Sequence, residues 1–181
     1  MRSKQPARSR TQDKLAAVPD FTPENYYQAA RNHLAMAVRL REHGEYFAAH
    51  YFAGIAVESI LRSLSNKAGE PFDGTHDIQH WARKANLLTS GSIRQQDDLR
   101  SDLLEVNIRW RANQRYYTAK MLDTRLHKLN IYGPLNDKVS GDRTKSNGEQ
   151  TLQLVKVSSE RMLELANTIV SLGVQRWNKK S

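Results

Sequence analysis

The chain has 181 residues, 39% of them hydrophobic and 26% charged, which suits one domain with a hydrophobic core and polar tails. It contains no cysteine, which excludes disulfides and thiolate zinc sites and fits a reducing cytoplasm. No apolar run approaches the roughly 20 residues needed to cross a bilayer, and the net charge of +9 favours polyanionic partners.

Residues 1–20 carry Arg2, Lys4, Arg8, Arg10 and Lys14 without the long apolar stretch of a secretory signal. They read as a flexible basic arm, and residues 21–178 as a single helical domain. Thr22-Pro23-Glu24 is a helix start, with threonine as cap and proline in the first turn. Tyr27, Ala30, Leu34, Ala37 and Leu40 then recur three and four apart along one helix face, and Gly44 stops the helix. A second helix follows at once, over roughly residues 45–67. It is apolar on more than one face and is therefore the central, most buried one. Gly54 inside it costs about 1 kcal/mol relative to alanine, which implies that a neighbouring helix approaches closely there. The short connection makes the two helices an antiparallel hairpin.

After a loop, a short third helix is capped by Thr75 or Asp77. Ser90 or Ser92 starts a long fourth helix whose core stripe is Leu99, Leu103, Val106 and Trp110, with Leu104, Ile108 and Arg115 on its flank. It runs to about residue 116 or breaks near Ala112-Asn113. A further helical piece over "TAKMLDTRLHKLN" ends at Tyr132-Gly133-Pro134, and "NDKVSGDRTKSNG" is a polar loop. A last helix spans about 149–177, with Leu152, Val155, Met162, Ala166, Ile169 and Gly173 on one stripe. There is no repeat and no convincing strand. The expected fold is all-α: an up-and-down bundle of four long helices with one or two additional short helices.

Few residues suggest chemistry. His76 and His80 are four apart, but no third or fourth ligand is indicated, so no metal is expected. There is no Gly-x-Ser-x-Gly elbow, P-loop or dinucleotide fingerprint. Asp98, Asp102 and Glu105 line one helix face with Arg94 and Arg109 each four residues away, the pattern of a solvated, ion-paired face. Glu58 lies on the buried second helix and must be paired or protonated, with Arg115 the expected partner. Residues 109–128 hold six cations (Arg109, Arg111, Arg115, Lys120, Arg125 and Lys128) against one acid, Asp123. Within "NIRWRANQRYY", Trp110 reads as core. Arg111, Arg115 and Tyr116, with Arg109 beside them, are the candidates for contact with a phosphate or base, because arginine forks suit phosphate and tyrosine stacks on bases.

The hairpin "YYQAARNHLAMAVRLREHGEYFAAHYFAGIAVESILRSL", the third helix "THDIQHWARKA" and the segment "NIRWRANQRYY" together resemble HEPN domains (higher eukaryotes and prokaryotes nucleotide-binding). The resemblance rests on Gly44, Tyr46, Ala49, Ala53, Ala56, Glu58 and Leu61, on the His-Asp before the third helix, and on the arginine-tyrosine pair closing the fourth. It covers about residues 24–117. It implies a helical bundle that commonly dimerises. Some members are metal-independent ribonucleases, and others are non-catalytic modules that bind nucleotides or pair with a nucleotidyltransferase. The ribonucleases carry a histidine about four to six residues after an arginine. Here Arg115 is followed by Tyr116, Tyr117, Thr118, Ala119, Lys120 and Met121, and Arg109 and Arg111 also lack such a histidine. Arg39 and His43 are four apart, but on the first helix.

The leading expectation is therefore a HEPN-like nucleotide- or RNA-binding module without catalysis. It would act as a homodimer or with a partner such as a nucleotidyltransferase or nuclease, in a defence or toxin–antitoxin setting, without a cofactor and away from membranes. The alternatives are a metal-independent endoribonuclease with a displaced active site, using Arg115 with His127 or His80, and a plain helical protein–protein interaction domain.

Overall fold

The computed structural model describes residues 21–70, 74–89, 92–131 and 147–179. The basic arm, the Tyr132-Gly133-Pro134 stop and most of the polar loop after it lie outside the described residues. Six α-helices are described: α1 (Pro23–Glu42), α2 (Tyr46–Lys67), α3 (Ile78–Lys84), α4 (Ile93–Arg109), α5 (Ala119–Lys128) and α6 (Asn147–Asn178). Short 3-10 turns cover Leu87–Thr89 and Ala112–Tyr116. No strand occurs among the described residues, and the protein is an all-α bundle of four long helices with α3 and α5 as the short ones.

Local chemistry sets most of the helix ends. Thr22 and Asn25 form a reciprocal capping box at the start of α1, and Ser92 with Gln95 does the same for α4. Asp77, not Thr75, caps α3, accepting from the backbone N–H groups of Gln79 (2.8 Å) and His80 (3.1 Å). Gly44, at φ +79°, closes α1 with the Glu45 N–H donating to the Leu40 carbonyl at 2.9 Å, a Schellman closure that turns the chain straight into α2.

α2 is the central helix: thirteen of its 22 residues are buried. It packs against α1, α3 and α6, and a continuous core joins Ala53, Val57, Ile60 and Leu61 to Trp81, Leu103, Val106, Trp110, Met162 and Ile169. A second, smaller core of Leu122, Leu126, Leu154 and Val155 seats α5 on the beginning of α6 and on Tyr46 and Phe47. Two sequence expectations need correction. α4 ends at Arg109, earlier than either expected end, because Trp110 turns into extended geometry (φ −108°, ψ 145°) to bury its ring. Leu152 is 55% exposed; Leu154 takes the core position at that end of α6.

Two glycines are sites of close approach. A Cβ at Gly173 would overlap the Ile60 side chain, which draws α6 against α2. A Cβ at Gly54 would stand inside the Trp110 indole, so the close neighbour is a side chain and not a helix backbone. Helix propensity alone would make Gly54→Ala stabilising by about 1 kcal/mol. The overlap with Trp110 reverses the sign, and we expect a net loss of about 1–3 kcal/mol in urea unfolding. In a Trp110→Ala background the same substitution should lose most of that penalty, and an undiminished penalty would show that the indole is not its cause.

Candidate nucleic-acid interface

The segment after α4 is fastened from beneath by buried polar groups. The Trp110 indole Nε1 donates to the Tyr51 carbonyl at 3.2 Å. Gln114 is fully buried: its Nε2 donates to the Arg109 carbonyl at 2.7 Å, and its Oε1 accepts from the Arg111 backbone N–H at 3.2 Å. His50 on α2, also fully buried, places Nε2 3.3 Å from the same Arg109 carbonyl, which makes Nε2 the protonated nitrogen. The last carbonyl of α4 thus takes two donors, and Arg111–Tyr116 is held as a rigid turn.

The structure disperses the arginines that the sequence groups together. Arg109 is nearly buried. It pairs with Glu105 at 2.6 Å and donates to Ser158 at 3.2 Å, so it ties α4 to α6 and does not face a ligand. Arg161 of α6 joins the same carboxylate at 2.6 Å. Burial alone would raise the Glu105 carboxyl, but hydrogen bonds from Arg161 and Arg109 outweigh it and hold the group below its ordinary value. The acidic face of α4 is thus an interhelical network, beyond the solvated face expected. Arg115 is exposed, its guanidinium 4.9 Å from the ring centre of Tyr116, which is 73% exposed.

Glu58 is not paired with Arg115. Its partners are Arg62, one turn along α2, and His76 Nδ1 at 2.8 Å. A same-helix arginine outcompetes one on a distant turn because its backbone already holds it in reach. Burial pushes the Glu58 carboxyl up, and the charges of Arg62 and His76 oppose that shift. Arg62 also donates to the Thr75 carbonyl at 3.1 Å, which the Trp81 indole shares at 2.9 Å. This pins the loop before α3 to α2 and fixes where His76 stands.

An open depression of about 440 Å³ results, lined by His76, Asp77, Arg111, Ala112, Asn113 and Arg125. Arg111 is exposed and braced by Asn107 Oδ1 at 3.2 Å, while Arg125 reaches across from α5 to donate to the Ile108 carbonyl at 3.1 Å. The Arg125 guanidinium is held below its usual range, first by burial and then by the like charge of Arg111. Asp77 accepts the α3 N–H groups through Oδ1 and contributes one exposed carboxylate to the lining, set against the two guanidinium groups of Arg111 and Arg125. The sequence pattern points to Arg111 but not to Arg125, Asn113 or His76. Arg115, Tyr116, His80 and His127 do not line the depression: His80 packs edge-on to Trp81, and His127 lies 3.5 Å from Asp123. No group of three His, Asp or Glu among the described residues is placed to hold a metal ion.

Fold and site define a helical module with a rigid basic turn at the close of its fourth helix. The HEPN domain family model matches residues 23–176, and the chain belongs to that family. No curated protein and no solved structure matches it. Membership supports a nucleotide- or RNA-related module, and HEPN domains often dimerise or pair with other proteins. No described helix is long and apolar enough to cross a membrane.

The buried His50 gives this support a pH dependence. Burial drives its pKa from 6.5 down to about 4, so the folded state keeps it neutral. The unfolded chain takes up that proton first, so stability is complete above about pH 6.5 and falls as pH drops towards 4. Comparing wild type with His50→Gln by urea unfolding between those limits should show the wild type losing up to roughly 3 kcal/mol more than the variant. Parallel pH profiles would remove His50 as the cause.

Proposed function

We propose that the chain is a non-catalytic HEPN module that binds a phosphate of a nucleotide or RNA in the depression between α3, the Arg111–Tyr116 turn and α5. It acts as a homodimer or with a partner enzyme such as a nucleotidyltransferase or nuclease, in a defence or toxin–antitoxin setting. The observation that carries this reading is the convergence of Arg111 and Arg125 from separate elements onto one open depression, at an electrostatic cost to Arg125. An anion between them offsets the repulsion between the two guanidinium groups, and each offers a fork matched to phosphate oxygens. Arg115 and Tyr116, exposed on the same turn, are placed to extend the contact to a neighbouring phosphate or base. The absence of a histidine four to six residues after Arg115 supports a binding role over a catalytic one.

One observation favours a second reading, a metal-independent ribonuclease with a displaced site. His76, oriented by Glu58, borders the same depression as Arg111, and an imidazole so placed is a proton shuttle in form. Among the described residues, Arg115 with His127 or His80, the pairs that the sequence offers for such a site, do not line this depression.

The test joins binding to cleavage. Arg111→Ala should weaken RNA or nucleotide binding about tenfold, near 1.4 kcal/mol, and Arg115→Ala by less. RNA incubated with excess chelator should remain intact with the wild type. Cleavage that His76→Ala abolishes would replace the binding reading with the ribonuclease. Unchanged affinity in Arg111→Ala would remove the depression as the site.

A further inference from the structure

An open groove of about 610 Å³ runs beside α5, lined among the described residues by Tyr117, Lys120, Met121, Arg125, Lys128 and Leu129 together with two threonines. Its floor is apolar: Met121 is 49% exposed and Leu129 41%, and Tyr117 stands at one end, half-buried. Its rim is cationic. Among the described residues no acid lines it, because Asp123, the acid of α5, is turned away and buried near Thr151 of α6 and His127. Arg125 belongs to the walls of both this groove and the Arg111 depression, so the two lie side by side.

We propose that this groove is a second subsite that takes the bases and following phosphates of a single-stranded polynucleotide, so that the ligand is a strand and not a mononucleotide. The inference rests on the phosphate reading above and extends it. Lys120 and Lys128 are about 12 Å apart along the helix axis, so a strand meets both charges in succession while a single phosphate does not. A flat apolar floor beside a tyrosine and an arginine plane is what an unstacked base needs, and every base has such a face. A duplex hides those faces. An acidic peptide would satisfy the lysines but offer nothing planar to the floor.

The full chain is titrated by fluorescence anisotropy with an unstructured 12-nucleotide strand, as RNA and as DNA of the same sequence. The same strand in a duplex, ATP and polyglutamate are compared with it. The strand, in either sugar, should bind at least tenfold more tightly than ATP. Lys120→Ser with Lys128→Ser should weaken the strand at least tenfold, leave ATP unchanged and reduce the salt slope by about 1.4, roughly 0.7 for each phosphate that a lysine no longer neutralises. Met121→Glu should weaken the strand alone, with circular dichroism confirming the fold of each variant. The inference is overturned if ATP, the duplex or polyglutamate binds as well as the strand, or if the lysine variant binds the strand normally while Arg111→Ala does not. The reverse pattern, weakening in the lysine variant with Arg111→Ala unaffected, overturns the phosphate reading and keeps the groove.

Discussion

The contact between the Trp110 indole and the bare backbone of Gly54 organises the end of the molecule that carries the candidate site. α4 ends at Arg109, and the turn into extended geometry that buries the Trp110 indole against Gly54 leaves Arg111, Asn113, Arg115 and Tyr116 exposed while Gln114 returns to the interior. A Cβ at position 54 would push the ring outward and take the turn with it. An indole is large enough to organise both sides of its position, and glycine is the residue that lets it lie against a helix backbone.

Burying a helix end leaves carbonyls in need of donors, and the way they are supplied explains several otherwise odd residues. His50 and Gln114 are fully buried polar side chains, and both donate to the Arg109 carbonyl. Arg125 supplies the Ile108 carbonyl. Positive or donor groups at a helix C-terminus also suit its dipole. One of these donors, Arg125, also forms part of the wall of the depression, so the group that completes α4 is the one that borders the candidate site.

Much of this fold is legible in the sequence because it is written locally. Thr22, Gly44 and Ser92 mark helix ends through caps and turns that involve residues three to five apart, and the stripe Leu99, Leu103, Val106, Trp110 reports one buried face. Gly54 signals a close approach, though the partner's nature needs the third dimension. The site is less legible. Arg109, Arg111 and Arg115 look equivalent in the chain, yet one is bound into an ion network, one lines the depression and one lies over Tyr116, because the helix ends between the first and second. Arg62 is within local reach of Glu58 on α2, but a distant arginine is the natural expectation for a buried acid. Arg125 and His76 cannot be joined to Arg111 from spacing, since α5 and the loop before α3 are placed by tertiary contacts: the Leu122–Leu126 core in one case, and Arg62 with Trp81 on the Thr75 carbonyl in the other.

The dispersal of the basic residues bears on what kind of partner the chain fits. If the net charge of +9 were only a solubility device, its cations would be spread and paired at random. Several are instead absorbed structurally: Arg109 and Arg161 in the α4–α6 network, Arg62 around Glu58, Arg176 on the Asn86 carbonyl and Lys67 on the Trp177 carbonyl. The cations that face outward around the turn and α5 are Arg111, Arg115, Lys120 and Lys128, with Arg125 half-buried among them on the Ile108 carbonyl and the one acid of that stretch buried. A face that gathers these cations beside a tightly fastened turn and the apolar Met121 and Leu129 is what makes an extended anion with flat apolar faces the partner we propose.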